Sequence, residues 1–75
     1  MNVIGRKVKQ IREERQPKLT QEDLAIRLQL LGWGDCSRFT VSKIELRTRK
    51  VTDHEVKMLA EALGVSPNCL FGVKE

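Results

Sequence analysis

The residues best suited to specific chemistry lie in one stretch near the middle of the chain, residues 38–50. Against a single acid, Glu45, this stretch holds the basic residues Arg38, Lys43, Arg47, Arg49 and Lys50. Clustered guanidinium and ammonium groups bind the phosphates of nucleic acids, and on a helix they hydrogen-bond guanine in the major groove. The pattern therefore favours an anionic partner over a catalytic role.

Successive residues of a helix lie 100° apart, and this separates residues 38–46 into two faces. Val41, Ile44 and Thr40 fall on one side, and the apolar pair Val41 and Ile44 faces a core. The other side carries polar and cationic groups and one phenyl ring, from Phe39, Ser42 and Lys43, with Arg38 on the flank. Because Ser hydrogen-bonds several bases and Phe contacts the thymine methyl group, this strip predicts a base-reading surface. An ordinary solvated helix face has a similar composition, so the strip alone leaves that alternative open.

The helix needs other elements to position it, and the N-terminal part of the chain predicts two. Apolar residues at helical spacing indicate a first helix with a basic outer face: Ile4, Val8 and Ile11. Pro17 ends it. Thr20 and Asp23 resemble a capping box, which predicts a second helix from about Thr20 to Leu31.

The rest of the chain predicts three helices. Gly32 and Gly34 interrupt the helical period and indicate a turn, after which Asp35 or Ser37 caps a third helix that runs to about Leu46. A capping box at residues 52–55 opens a fourth helix, which stops at Gly64. Residues 66–67, Ser-Pro, open a short fifth helix. With no strand signal, we expect an all-α bundle of five helices, one domain over residues 1–75.

Composition limits the possible functions. The 75 residues leave room for one binding surface, and the formal net charge of +4 again favours an anionic partner. There is no run of roughly 18 apolar residues and no secretory signal, so we expect a cytoplasmic protein without a membrane partner.

Metal and enzyme sites are not supported. Cys36 and Cys69 match no metal-ligand spacing, and His54 is the single histidine, so we expect two free thiols, no metal and no cofactor. No catalytic triad or glycine-rich phosphate loop is present, so we expect neither an enzyme nor a small-molecule substrate.

Three blocks of sequence together resemble the phage repressor and Cro-type helix-turn-helix family, also called the XRE family. They are residues 19–25 (LTQEDLA), 37–45 (SRFTVSKIE) and 59–66 (LAEALGVS). The similarity spans about residues 4–72 and keeps the family's order. It implies a five-helix lambda-repressor-like fold in which the third helix enters the major groove of double-stranded DNA.

The resemblance also implies roles for individual residues. Base reading falls to Arg38, Phe39, Ser42 and Lys43. Contacts with the DNA backbone fall to Gln21, Thr40, Arg47, Arg49 and Lys50. Arg12 and Glu45 match an ion pair that ties the first helix to the third, which excludes Glu45 from the DNA site.

One segment departs from the family pattern. The chain between Ala25 and Val41 is longer than the family's usual tight turn, and the excess lies in residues 29–35. Either the second helix is longer or the turn is a loop containing Trp33. Trp33 is then expected to cover the end of the core, although an extra DNA-backbone contact by Trp33 or Arg27 is an alternative.

The function implied is a sequence-specific transcriptional regulator, most simply a repressor, that binds DNA as a homodimer. The fifth helix and the chain end are the expected dimer surface, with Leu70, Phe71 and Val73 as candidates. The alternative is a protein-interaction module on the same fold, antitoxin-like or an adaptor, whose basic face meets an acidic partner.

Overall fold

A computed structural model describes residues 3–72, and within this range the chain forms five helices and no strand. In chain order they are α1 (Gly5–Glu14), α2 (Gln21–Leu30), α3 (Arg38–Glu45), α4 (Asp53–Leu63) and α5 (Pro67–Leu70). The expected all-α, five-helix architecture is confirmed. No helix in this part of the chain combines the length and apolar character that crossing a bilayer requires.

Local sequence signals define most helix ends. Capping boxes open α2, α3 and α4, at Thr20, Ser37 and Thr52. Ser37 rather than Asp35 caps α3: its hydroxyl accepts a hydrogen bond from the Thr40 N–H at 3.3 Å. At the other end of α4, Gly64 adopts a left-handed conformation with φ 72°, which glycine reaches without the steric cost of a Cβ atom.

The apolar faces of the helices meet in one core. The largest fully buried side chains include Ile4, Leu24, Leu28, Ile44, Leu59, Leu63 and Leu70. Cys36, only 1% exposed, is part of the same core and acts there as a small apolar side chain. The core therefore contains side chains from all five helices, and α3 packs against α2 and α1.

The placement of Leu70 on a dimer surface is wrong. Leu70 is only 1% exposed, because α5 packs against both α4 and α1. Phe71 is 51% exposed and remains available to a partner. Val73 lies outside the described residues.

Of the extra residues 29–35, Gln29 and Leu30 form the last part of α2, which ends at Leu30, and residues 31–35 form a loop. Trp33 is only 9% exposed and belongs to the core, as its structural interpretation predicted. The backbone N–H of Trp33 donates a hydrogen bond to the Leu28 carbonyl at 3.0 Å, and the Trp33 carbonyl accepts one from the backbone N–H of Cys36 at 3.1 Å. The loop is thus pinned to α2 at one end and to the residue before the α3 cap at the other.

Candidate nucleic-acid interface

The helical spacing separates α3 into the two faces that the sequence predicts. Val41 and Ile44 are fully buried, whereas Arg38 and Lys43 are exposed and Ser42 is half-buried. Phe39 is 63% exposed, and the guanidinium carbon of Arg38 lies 5.0 Å from the centroid of its ring. The four predicted base-reading residues therefore share one accessible strip.

A buried ion pair holds this helix against α1. Arg12 Nε lies 2.7 Å from Glu45 Oε2, and Arg12 Nη2 donates to Glu45 Oε1 at 3.0 Å. A third donor, Arg12 Nη1, reaches the Leu19 carbonyl at 2.8 Å. The hydrogen bonds with Glu45 raise the pKa of Arg12, so the pair stays charged. Glu45 is 7% exposed and faces inward, as predicted, so its negative charge does not interrupt the outward strip.

Gln21, a predicted DNA-backbone residue, joins the same cluster. Its side-chain Nε2 donates to Glu45 Oε1 at 3.0 Å, which links the start of α2 to the end of α3. One side-chain donor of Gln21 is therefore already engaged within the protein. The backbone N–H groups of the first turn of α2 still provide the positive end of a helix dipole.

A cleft of about 380 Å³ lies beside Gln21, between the start of α2 and the start of α3. It is lined by Arg12, Lys18, Leu19, Thr20, Gln21, Glu22 and Arg38. Lys18 and Arg38 bring positive charge to this cleft, and Glu22 brings negative charge. Lys18 is not among the residues predicted from the sequence; the signal that could have found it is a basic residue shortly before the Thr20 cap.

Thr40, another predicted DNA-backbone residue, is engaged in the α3 cap. Its hydroxyl accepts a hydrogen bond from the Ser37 N–H at 3.2 Å, and the side chain is half-buried. Thr40 thus supports the start of α3.

The basic loop after α3 begins with an unusual backbone conformation. Arg47 has φ 62°, in the left-handed region that residues with a Cβ atom occupy at a steric cost. The Arg47 N–H donates to the Ile44 carbonyl and the Thr48 N–H to the Lys43 carbonyl, both at 3.0 Å. Arg47 is half-buried and Lys50 is exposed, so these two of the loop's three cations reach the surface.

Arg49 has internal partners. Its Nη1 and Nη2 donate to the two carboxylate oxygens of Glu55 at 3.0 and 3.1 Å, and Nη1 also reaches the Lys50 carbonyl. The guanidinium carbon lies 5.1 Å from the centroid of the Trp33 ring. These hydrogen bonds raise the pKa of Arg49 and lower that of Glu55. This cluster is not predictable from the sequence, because nothing in the local spacing pairs Trp33 with Arg49.

The two cysteines are free thiols. Burial raises the pKa of the Cys36 thiol, so this side chain is held in its neutral form. Cys69 is half-buried, and its sulfur accepts a hydrogen bond from the Ser66 hydroxyl at 3.6 Å. Among residues 3–72, no group of three or more His, Cys, Asp and Glu side chains comes together as a metal site would need.

The fold and this surface agree with the comparison against protein families. A family model described as a helix-turn-helix domain matches residues 3–69. Comparison with curated proteins gives no match, and comparison with solved structures gives none either. The matched region contains α1 to α4 and α5 as far as Cys69. It includes α2, the loop after it and α3, which carries the exposed strip. The chain therefore belongs to the helix-turn-helix domain family.

Proposed function

We propose that this protein is a sequence-specific DNA-binding transcriptional regulator that reads the major groove with α3. The observation that carries the proposal is the outward strip of α3, which presents Arg38, Phe39 and Lys43 while the opposite face is fully buried. A helix held rigidly by core packing and a buried ion pair enters a groove without a further cost of ordering it.

Within this proposal, Arg38 and Lys43 hydrogen-bond guanine, Phe39 contacts a thymine methyl group, and Ser42 bonds a neighbouring base. Arg47 and Lys50 contact phosphate on one side of α3, and the start of α2, with Gln21, contacts phosphate on the other. Thr40 supports this arrangement through the α3 cap.

We assign Arg49 a positioning role in place of a direct phosphate contact. Both terminal nitrogens of its guanidinium are already hydrogen-bonded within the chain. Binding phosphate through them would require breaking a bidentate pair with Glu55. The side chain is better suited to holding the loop that contains Trp33.

We base the more specific role, repression by a homodimer, on the resemblance to phage repressor and Cro-type proteins. The simplest activity is repression in the cytoplasm, in which the bound protein blocks a promoter. Because one half-site offers a small interface, we expect a homodimer on an inverted repeat with half-sites about 10 base pairs apart.

The test is selection of bound duplexes from a random DNA pool at near-physiological salt, followed by sequencing. Enrichment of an inverted repeat supports a dimeric sequence reader. Without enrichment, the salt dependence of binding to random duplex distinguishes the alternatives. A plot of the logarithm of the binding constant against the logarithm of the salt concentration with a slope near −0.9 per neutralised phosphate indicates non-specific DNA binding. A flat response counts against DNA and favours the protein-interaction module.

A further inference from the structure

The C-terminal end of α2 carries an apolar surface that the DNA-binding proposal does not use. Leu30 is 83% exposed, Ile26 45% and Leu31 39%. Leu30 and Leu31 belong to the segment that lengthens the connection between α2 and α3. The other large apolar residue of that segment, Trp33, is buried in the core. The segment therefore fills the core with one side chain and exposes two leucines.

Leu30 and Leu31 border a groove of about 270 Å³ between α2 and α4, which Arg27, Glu61 and Ala62 complete. Arg27 reaches towards α4 and donates through Nη1 to the Ala62 carbonyl at 3.1 Å. Arg27 and Glu61 are both exposed, and no ion pair within residues 3–72 joins them. The groove thus combines apolar side chains with one positive and one negative group.

This combination fits a second copy of the same surface. A twofold interface must be complementary to itself, so each group meets its counterpart across the axis. A patch with one cation and one anion beside an apolar centre meets this condition, because Arg27 of each copy faces Glu61 of the other. Burial of the leucines then supplies affinity, and the two ion pairs set the register.

The position of the groove is compatible with simultaneous DNA binding. It lies at the opposite end of α2 from Gln21, nine residues or about 13 Å along the helix axis. None of the residues lining it belongs to α3 or to the basic loop that follows. A partner seated in the groove therefore leaves the exposed strip of α3 uncovered.

We propose that the groove bordered by Arg27, Leu30, Leu31 and Glu61 is the surface through which two copies of this chain associate. The inference rests on the proposed homodimeric DNA reader for its use, but it concerns association without DNA. It assigns a role to the segment by which this chain departs from the family pattern. It also replaces the dimer surface at α5, from which Leu70 is excluded by burial.

The experiment measures the dimer dissociation constant by sedimentation equilibrium, without DNA, for the wild type and a set of variants. Arg27→Glu and Glu61→Arg each place like charges opposite one another twice, so each is expected to weaken the dimer about tenfold or more. When the two variants are mixed in equal amounts, each acidic position faces a basic one in the other chain. The mixture should therefore recover dimers close to wild-type strength.

Three further variants complete the set. Leu30→Ala is expected to weaken association about tenfold, because one leucine is lost from each copy. Lys9→Glu on α1 changes the net charge as much as Arg27→Glu does and should leave the dimer unchanged. Phe71→Ala probes the alternative surface after α5 and should also have no effect. Circular dichroism checks that each variant is folded.

Three results would overturn the inference: a wild type that stays monomeric at every concentration, a mixture that associates no better than either charge variant, or dissociation by Phe71→Ala but not Leu30→Ala. Recovery in the mixture is specific to contacts between chains, since neither variant regains a complementary pair within itself. Enrichment of single half-sites by a monomeric protein would contradict the proposed dimer interface but support sequence-specific DNA binding. Recovered dimers without any enriched DNA sequence would support the interface but contradict sequence-specific DNA binding.

Discussion

The guanidinium carbon of Arg49 lies 5.1 Å from the centroid of the Trp33 ring, which joins the loop before α3 to the loop after it. Glu55, in the first turn of α4, holds the same guanidinium through two hydrogen bonds. Three segments that enclose α3 are therefore tied together by one side chain. The orientation of α3, and with it the proposed approach of α3 to the DNA major groove, should depend on this contact.

Replacing Arg49 by Ala should lower the free energy of unfolding by about 1 to 2 kcal/mol, since the stacking and a partly exposed ion pair are lost together. Affinity for the selected DNA site should fall more than affinity for random duplex, because Arg49 positions the reading helix and does not itself bind phosphate. Trp33 is the single tryptophan, so its emission reports the loop directly. Arg49→Lys keeps the charge but not the planar, bidentate group and should change the emission as well. Unchanged emission in both variants would contradict the assignment.

Removing one partner of the Arg12–Glu45 pair is expected to unfold the protein. Glu45→Ala leaves a buried guanidinium without its counter-charge, which costs about 3 to 5 kcal/mol. A domain of this size has about that much stability in total, so the variant should be largely unfolded. Urea denaturation followed by circular dichroism measures this. A double replacement of Arg12 and Glu45 by Met should be less harmful than Glu45→Ala; equal damage would show that charge burial is not the cause.

Arg47 occupies a left-handed backbone conformation at some cost to stability. A substitution that removes this strain should change stability and DNA binding in opposite directions. Arg47→Gly should stabilise the fold by about 1 kcal/mol, because glycine adopts φ 62° without strain. The same variant should weaken DNA binding without changing sequence preference. It should also reduce, by about one, the slope of the logarithm of the binding constant against the logarithm of the salt concentration. Arg47→Asn is the control, since asparagine tolerates this conformation but carries no charge. Undiminished DNA binding in both variants would remove Arg47 from the interface.

Base-reading and phosphate-binding residues should give different mutant behaviour. Arg38→Ala and Lys43→Ala should each cost about 1 to 3 kcal/mol of binding to the selected site and relax its sequence preference. Lys50→Ala, a matched loss of an exposed cation, should weaken selected and random duplexes equally. Titrations of each variant with the selected and the random duplex measure the ratio of the two binding affinities. If Arg38→Ala kept the full preference, the assignment of α3 as the reading helix would be wrong.

Stability should fall in acid through Glu55. Its hydrogen bonds with Arg49 hold its pKa below the ordinary value, so its contribution is complete above an unfolded-state pKa of about 4.3 and is lost as the pH falls through the lower folded value. Urea midpoints at neutral pH and below about pH 4 test this. Glu55→Gln should be less stable at neutral pH and lose less on acidification. An acid response as large as that of the wild type would assign the effect to other carboxylates.

Local signals accounted for most of the architecture. The capping residues Thr20 and Thr52 and the stop at Gly64 were predictable, because each acts on backbone groups within a few residues. The burial of Val41 and Ile44 was predictable from helical spacing alone. The burial of Leu70 was not, because α5 has four residues, too few for spacing to define a buried face.

By itself, the sequence determined the five helices, the outward strip of α3 and, through the family resemblance, the Arg12–Glu45 pair. Only the tertiary structure decided that Gln21 bonds Glu45, that Arg49 pairs with Glu55 over Trp33, and that Leu30 and Leu31 remain exposed beside Glu61. The physical reason is range: caps and helical faces depend on residues within one or two turns. The partner of a charged or amide side chain depends on which distant segments the packed core brings within about 3 Å.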